Sequence, residues 1–473
     1  MVKNSNRVVS LIFYLSLVGT GVITIFYQIN FEGLWLDEMN SFYVADPNLT
    51  LKETLSRHNE SDWHNPKLFN FILKNFLNLV GYDPSLARYL PLIFGSISLF
   101  LIGAISYQVK KDNSFLITTF LACISIYIIK YSQEIRPYSL LLLTSSLNIF
   151  FYIKLINNPK RKNLNSILFI IFSVLNYSTH PFSLIILFSQ IFFSFYRFFF
   201  YKNPIKIFLL LYLLISIFFS LFNFNYILIQ VSFENYMLSH DIRNVLDGLY
   251  FPRFFGSKIM GYIYLILLLF LLYVNKKIIF SEKKNYLFFL ILLIFSYLAP
   301  LTYGILNTPV LHDRYIIFIL IPVLVLVSCL LSEISNSRLK IFLTLFIFIF
   351  TLTNHYIEIF KRPISKPQFG VALENIKTSG VNNIVLYTQT DPSYLVGDKL
   401  ITNYVKNINF SQKKNLNFYE YNDLSKELKI FWLICYKPNL DYDCKISVND
   451  NYNLIETKKY YQVESILYKN KIN

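Results

Sequence analysis

The chain has 473 residues, of which 54% are hydrophobic and 18% aromatic, against about 45–50% apolar residues in ordinary soluble domains. This composition excludes a packed soluble core for most of the chain and predicts a polytopic membrane protein. The formal net charge of +16 does not indicate nucleic-acid binding, because much of the excess lies in short loops between apolar runs, where it sets membrane topology.

About eleven apolar runs are near the length of roughly 20 residues that a helix needs to cross a bilayer. The predicted spans are 8–27, 86–109, 114–130, 137–153, 164–179, 182–200, 205–229, 258–275, 286–303, 315–333 and 339–357. No small-residue cleavage site follows the first, so we expect it to remain as an anchor. The apolar stretch 67–80 is short and interrupted by Lys74, and we expect an interfacial or re-entrant helix there.

Clusters of Lys and Arg mark every second loop and are expected on the cytoplasmic side. They are Lys3 with Arg7, Lys110 with Lys111, residues 154–162, 197–206 and 276–284, and Arg338 with Lys340. The loops 28–85, 131–136, 178–182, 230–257 and 304–314, and everything after about residue 360, then face outward. A reaction there has no access to cytosolic nucleotide sugars or ATP, so an activated substrate has to be carried in the membrane.

After residue 360 the pattern changes from long apolar runs to short alternating elements. We expect a transmembrane domain over 1–360, with its first outer loop at 28–85, and a small outer-face α/β domain over 361–473. Its predicted elements are a helix at 367–378, a helix start at Asp391, and strands at 383–388, 417–421 and 429–436. Cys435 and Cys444 lie nine positions apart, and both a disulfide and two free thiols remain open.

Two adjacent carboxylates, Asp37 and Glu38, follow the first span within Leu-Trp-Leu-Asp-Glu. Such a pair is costly at a membrane interface unless it is solvated or faces a cation. Asp37 could be the base that deprotonates an incoming hydroxyl, while Glu38 shapes the site or binds a metal. The alternative is a solvated loop start. No cofactor is certain, but a divalent cation such as Mg or Mn is compatible with both carboxylates.

Four further segments of the outer loops carry charged or His side chains. His64 and Lys67 lie in Ser-Asp-Trp-His-Asn-Pro-Lys-Leu. For His64, a side chain that is merely exposed is a simpler interpretation than a functional one. Glu134 and Arg136 lie in a short loop, where Arg136 could form bidentate hydrogen bonds with a phosphate and Glu134 could orient Arg136 or bind an acceptor. The alternative is an interfacial Glu and Arg that anchor the helix ends.

The last two of these segments contain His180 and Arg314. His180 occupies a tight Thr-His-Pro turn, and Arg314 directly precedes a span. Both are candidates for binding a phosphate, and anchoring at lipid headgroups is the alternative for each.

In order, the segments LWLDE, HNPKL, Ala87-Arg88-Tyr89, YSQEIRPYSL, the His180 turn and DRYIIFILIP resemble the GT-C glycosyltransferases that use polyprenyl-phosphate sugars. More narrowly, they are similar to the bacterial branch of protein O-mannosyltransferase-like enzymes, the lipid A aminoarabinose transferase and RgtA/B/C/D-like proteins. The similarity covers roughly residues 8 to 335. Many relatives have His-Pro-Pro-Leu where this chain has His64-Asn65-Pro66-Lys67-Leu68, so Lys67 could have taken over a charge role.

This resemblance implies an inverting transfer on the outer face, with an acidic residue of the first outer loop as base or metal ligand. By position that role falls on Asp37, with Glu38 beside it. The leaving group is a lipid phosphate, which needs cations more than a general acid. Arg136 and Arg314, with His64 or Lys67, are the residues placed to supply them.

The sequence therefore predicts an integral-membrane hexosyl- or pentosyltransferase. It would move a sugar from a polyprenyl-phosphate donor to an outer-face lipid, glycan or protein acceptor in a bacterial cell membrane. A transporter or lipid flippase is the main alternative, but the predicted spans carry almost no ionisable residue near their middles and the sequence shows no internal repeat. An outer-face polysaccharide ligase or polymerase is a third possibility.

Overall fold

The structure is a computed structural model that describes residues 2–62, 66–157, 162–201, 205–221, 254–280, 285–306, 311–388, 397–411, 416–421, 428–437, 444 and 451–471. The chain forms two compact units. Unit 1 contains Met1–Tyr27, His64–Phe69 and Pro91–Arg362, and unit 2 contains Gln28–Trp63, Asn70–Leu90 and Pro363–Asn473. Most of the loop 28–85 and the carboxyl-terminal segment therefore belong to the same unit, although more than 270 residues separate them in the chain.

Most of the described chain is helical. In chain order the helices are α1 (Val2–Phe26), α2 (Leu36–Val44), α3 (Leu51–Ser61), α4 (Leu68–Val80), α5 (Pro84–Ala87), α6 (Tyr89–Val109), α7 (Ser114–Cys123), α8 (Ile126–Ser132), α9 (Tyr138–Asn157), α10 (Lys162–Thr179), α11 (Leu184–Tyr201), α12 (Ile205–Leu221), α13 (Lys258–Val274), α14 (Lys276–Ile279), α15 (Tyr286–Leu306), α16 (Leu320–Glu333), α17 (Ser337–Phe360), α18 (Phe369–Thr378) and α19 (Gly397–Ser411). Two 3-10 segments, Pro181–Ser183 and Asp313–Ile319, precede α11 and α16.

Each of the predicted spans overlaps helices of unit 1 or the boundary helix α6, which confirms a polytopic helical membrane fold. Among the described residues, seven helices are long and apolar enough to cross a bilayer, or eight if α7 and α8 count as one span. The expected count of eleven is therefore not established. The predicted span 114–130 is not straight, because a bend of 54° separates α7 from α8. The end of the predicted span 205–229 lies outside the described residues.

Helix α16 lies at the centre of unit 1 and packs against α7, α13 and α15. Every residue from Leu320 to Leu331 is buried, which fits a sequence that is apolar on all faces. The outer helices α1 and α17 instead expose large apolar side chains, as expected of helices that face lipid. Unit 1 thus has a central helix surrounded by others that meet the membrane.

Unit 2 contains a five-stranded sheet made of β1 (Asn383–Thr388), β2 (Asn417–Glu420), β3 (Ile430–Tyr436), β4 (Tyr452–Tyr460) and β5 (Val463–Asn470), in the order β2-β1-β3-β5-β4. Strand β1 is parallel to β2 and β3, whereas β5 is antiparallel to β3 and β4. This confirms the small α/β domain and three of its strands. The hairpin β4–β5 was not predicted, and the predicted helix start at Asp391 lies outside the described residues.

The structure joins Cys435 of β3 to Cys444 by a disulfide. Both sulfur-bearing residues are buried, and they pack with Val385, Phe431 and Leu433 in the core of the sheet. Of the two alternatives that the sequence left open, the structure contains the bridge.

Candidate functional site

The carboxylates of Asp37 and Glu38 lie in the first turn of α2 in unit 2. Carboxylates are favoured at a helix amino terminus, where unpaired N–H groups and the helix dipole provide positive potential. The two side chains have different surroundings. Asp37 is half-buried, whereas Glu38 is fully buried with 0% exposure.

Two cations neutralise the buried carboxylate of Glu38. The Nζ atom of Lys366 donates to its Oε2 atom at 2.7 Å, and the guanidinium of Arg88 lies 3.5 Å from the same oxygen. Both cations are themselves buried. A charge this far from water is tolerated only when it is paired and hydrogen-bonded. Glu38 is thus held by one residue between α5 and α6 and by one from the segment after α17.

The chain leading into α2 is held by Arg88 and by Ser365. Arg88 donates to the carbonyl oxygens of Ile29, Glu32 and Gly33 at 2.6 to 2.9 Å. The carboxylate of Glu32 accepts from both the N–H and the hydroxyl of Ser365, at 2.6 and 2.7 Å. These bonds fix the backbone a few residues before Asp37, and so restrict where that carboxylate can lie.

Close packing adds to this arrangement at Gly33 and Leu34. A Cβ atom on Gly33 would lie 2.4 Å from the carbonyl oxygen of Pro367, so only glycine fits there. The N–H of Leu34 donates to the hydroxyl of Tyr404 at 3.0 Å. The residues after 362 therefore contribute directly to the segment that carries Asp37.

Sequence reasoning missed Arg88 and Lys366 as parts of this site. Arg88 was noted only within Ala87-Arg88-Tyr89, and Lys366 was not selected at all. Neither has a local signal, because the partner carboxylate is 50 positions away in the first case and 328 in the second.

The donor set around Glu38 does not fit a divalent metal. Its Oε2 atom already accepts from Lys366 and lies close to Arg88, and two cations at this distance oppose the binding of a third. Within the described part of the chain, no group of three or more His, Cys, Asp or Glu residues could hold a metal ion.

Unit 1 brings together three of the predicted phosphate-binding residues, Arg136, His180 and Arg314, which form a basic cluster. Arg136 and Arg314 both act electrostatically on the imidazole of His180, which is 3% exposed. Burial, and then the two guanidiniums, lower the pKa of His180 to about 3. The imidazole is therefore neutral at any physiological pH, and the positive charge of this cluster comes from the two arginines.

Aromatic rings surround the basic cluster. The Cζ atom of Arg314 lies 5.6 Å from the ring centroids of both Tyr138 and Tyr315, within the range of a cation–π contact. The ring of Tyr315 also packs on His180, with centroids 4.9 Å apart. The rings therefore restrict the conformations of Arg314 and His180.

Two carboxylates lie beside this cluster. Glu134, which is 4% exposed, and Asp313 both act on the hydroxyl of Tyr131. The Oδ1 atom of Asp313 lies 2.5 Å from Nδ1 of His312. Glu134 was expected here from the sequence. Asp313 and Tyr315 were missed, although they flank Arg314 in the quoted segment DRYIIFILIP.

The short connection between α8 and α9 holds Glu134 and Arg136 in position. Gln133 donates from Nε2 to the carbonyl oxygens of Ile25 and Tyr27, at 2.8 and 2.9 Å. Arg362 donates to the Oε1 atom of the same side chain at 2.9 Å. One amide side chain thus ties this connection to the ends of α1 and α17.

The remaining two predicted residues acquire no role from the structure. His64 lies outside the described residues. Lys67 is half-buried in the turn before α4, and among the described residues its side chain forms no hydrogen bond or ion pair with the basic cluster.

No family model matches the sequence, and no curated protein matches it either. Solved structures do match. ArnT from Cupriavidus metallidurans bound to undecaprenyl phosphate has a TM-score of 0.59 at 10% identity, over 96% of this chain and 97% of ArnT. Its apo state has a TM-score of 0.57 at 10% identity over the same shares of both chains.

A second match is the oligosaccharyltransferase of Archaeoglobus fulgidus in its apo form. It has a TM-score of 0.50 at 11% identity, over 83% of this chain and 64% of that one. ArnT is an aminoarabinose transferase, and both proteins are GT-C glycosyltransferases. The resemblance noted in the sequence is thus confirmed at the level of the fold, which is like that of ArnT.

Proposed function

We propose that this protein is an integral-membrane glycosyltransferase that moves a sugar from a polyprenyl-phosphate carrier to an acceptor on the outer face of a bacterial cell membrane. The acceptor is a lipid, glycan or protein. The observation that carries the proposal is the basic cluster of unit 1, where Arg136 and Arg314 lie beside a neutral, buried His180. The GT-C fold, shared with an ArnT structure that holds undecaprenyl phosphate, supports it.

The role of the two arginines is to bind the lipid phosphate and to stabilise it as it departs. A guanidinium forms paired hydrogen bonds with phosphate oxygens and stays charged at any working pH. As the bond between sugar and phosphate breaks, negative charge grows on the phosphate, so fixed cations lower the barrier. His180 can add a hydrogen bond from its neutral ring but no charge.

Asp37 is the base in this proposal. Its half-buried carboxylate can accept the proton of the acceptor hydroxyl as that oxygen attacks the sugar carbon. Glu38 has a positioning role rather than a catalytic one, because its carboxylate is already bound by Lys366 and Arg88. These contacts orient the first turn of α2 and hence Asp37.

The test is transfer from a radiolabelled polyprenyl-phosphate sugar in proteoliposomes, with donor binding measured separately. Asp37→Asn keeps the size of the side chain but cannot accept the proton. Turnover should therefore fall by roughly 10²–10⁴ while donor binding survives. The matched control is Asp398→Asn, which removes an exposed carboxylate from the first turn of another helix of unit 2, α19.

Removing a phosphate-binding cation should have a different effect. Arg136→Ala or Arg314→Ala should weaken donor binding and slow transfer together, because the arginine contacts the phosphate in both the bound donor and the transition state. Arg338→Ala, which removes an exposed arginine at the start of α17, is the control. Full transfer by Asp37→Asn would exclude it as the base, and undiminished donor binding by both arginine variants would exclude the phosphate site.

The same assay separates the alternatives. Movement of the sugar lipid across the bilayer without transfer to any acceptor would identify a flippase or transporter. Transfer of a preformed long glycan, with no transfer of a single sugar, would identify a ligase or polymerase. Both outcomes would replace the present proposal.

A further inference from the structure

Unit 1 contains a cavity of about 550 Å³ that is separate from the basic cluster described above. It lies among α1, α7, the end of α16 and the start of α17. The loops at this end carry Lys110, Lys111, Arg338 and Lys340, so the sequence predicts that the cavity opens on the cytoplasmic side. Its volume is in the range typical of small-molecule sites.

The lining changes from polar to apolar along the helices. On α17, Lys340, Thr344 and Phe348 all line the cavity at intervals of one turn. Eight residues of helix separate the first from the last, a depth of about 12 Å. Helix α7 shows the same order, from Ser114 at its start to Phe120 further in. The cavity therefore has a charged mouth and an apolar interior, which matches an amphipathic ligand.

Lys340 provides the free charge at the mouth. In the part of the chain that the structure describes, its side chain forms no hydrogen bond or ion pair. The nearby acids are already engaged: Lys110 lies 3.0 Å from Asp112 and 3.2 Å from Glu333. With Lys111 and Arg338 in the same two loops, cations outnumber carboxylates here by four to two.

Asp112, Asn113 and Ser332 complete the polar end of the lining, where the carboxylate of Asp112 is already paired with Lys110. Apolar side chains form the rest of the wall. They are Phe13 and Leu17 of α1, Leu116, Ile117 and Phe120 of α7, and Phe348 of α17. Phe13 is 54% exposed and so faces the surrounding membrane. A hydrocarbon chain can therefore enter the cavity from the bilayer without crossing water.

We propose that this cavity binds a glycerophospholipid, with its phosphodiester on Lys340 and an acyl chain along α1 and α7. The apolar interior of the cavity gains hydrophobic contact when a hydrocarbon chain fills it. Basic pockets between helices on the cytoplasmic side suit phosphate headgroups. The site is distinct from the donor site proposed above, and it concerns a resident membrane lipid.

The test is native mass spectrometry of the purified, delipidated full chain titrated with a defined phospholipid or with diacylglycerol of the same acyl chains. The wild type should hold one phospholipid and bind diacylglycerol about tenfold more weakly, because diacylglycerol lacks the phosphate that pairs with Lys340. Inorganic phosphate should not displace the lipid. Equal binding of phospholipid and diacylglycerol would show a non-specific hydrocarbon groove and overturn the proposal, as would displacement by phosphate alone.

Two matched pairs of variants locate the site. Lys340→Ala should weaken phospholipid binding about tenfold, whereas Arg338→Ala, which removes an exposed cation outside the cavity, should not. Thr344→Phe fills the cavity and should abolish binding, whereas Leu345→Phe, on the exposed face one residue on, should leave it intact. Unchanged binding by Lys340→Ala would refute the headgroup assignment even if Thr344→Phe fails to fold.

Discussion

Replacing Lys366 by Met should destabilise unit 2 by removing one partner of a buried ion pair. The side chain of Glu38 is 0% exposed and that of Lys366 is 8% exposed. Water therefore cannot solvate the charge that is left when its partner is removed. Removal of one partner of such a pair costs about 3–5 kcal/mol. Arg88 remains 3.5 Å from the same oxygen, so we expect a loss near the lower end, about 3 kcal/mol.

Intrinsic fluorescence can measure this loss in unit 2 alone. All three tryptophans, Trp35, Trp63 and Trp432, belong to unit 2. For a domain of about 150–250 residues, each kcal/mol shifts the melting temperature by about 2–4 °C. The Lys366→Met protein in detergent should therefore melt about 6–12 °C below the wild type. Lys399→Met, which removes an exposed lysine from α19 of the same unit, should melt within about 1 °C of it.

A double-mutant cycle distinguishes the ion pair from general loss of packing. Glu38→Gln alone leaves two buried cations beside a neutral amide, so it should be at least as damaging as Lys366→Met. The double variant removes one charge of each sign, and its loss should be smaller than the sum of the two single losses by about 0.5–3 kcal/mol. Additive losses, or a Lys366→Met protein that melts like the wild type, would refute the assigned pairing.

Three further predictions concern other parts of the chain. Because the folded pKa of His180 is about 3 and its unfolded value is 6.5, the unfolded state takes up a proton as the pH falls. Lowering the pH from 7.5 to 5 should therefore cost about 2 kcal/mol in thermal unfolding, and His180→Gln should reduce this pH dependence. A Cys435→Ser/Cys444→Ser variant should lose up to about 2–3 kcal/mol by the chain-entropy estimate, measured as a lower tryptophan-monitored melting temperature than that of Cys123→Ser. Reporter fusions after Lys162, Lys284 and Asn473 should give inside, inside and outside, and a cytoplasmic carboxyl terminus would mean that the spans are miscounted.

The helical fold of unit 1 could be predicted because it depends on local composition. Runs of about 20 apolar residues have few alternatives in a bilayer, and Lys and Arg clusters mark every second loop between the runs. The bend after Cys123 could not be predicted, since the interval 124–125 contains neither Pro nor Gly, the residues that usually mark a kink.

In unit 2 the buried strands were easier to predict than the exposed one. Strand β3 is a continuous apolar run, buried over its last six residues, and its sequence shows this directly. Strand β4 contains Glu456, Lys458 and Lys459 and is mostly exposed at the edge of the sheet. Strand β4 is stabilised by its pairing with β5, and this pairing could not be predicted from the sequence of β4 alone.

The basic cluster of unit 1 was predicted in part, for a similar reason. Arg136, His180 and Arg314 could each be selected because charged or His residues are conspicuous beside apolar spans. Their shared location depends on the packing of α9, α10 and α16, which sequence spacing does not give. The tyrosines that pack against these residues could not be selected in the same way. The chain has 36 tyrosines, and they do not stand out beside apolar spans as charged residues do.

Adjacent carboxylates in a sequence suggest a shared role, but helix geometry separates them. Successive residues of an α-helix point about 100° apart, so Asp37 and Glu38 cannot both face the same partner. In this chain Glu38 faces the interior of unit 2, where Arg88 and Lys366 neutralise it, and Asp37 is left at the half-buried surface. The fold thus requires one carboxylate of the pair, which leaves the other as the candidate base. Because Lys366, Ser365 and Tyr404 all come from beyond residue 362, the position of Asp37 depends on the carboxyl-terminal segment as much as on its own loop.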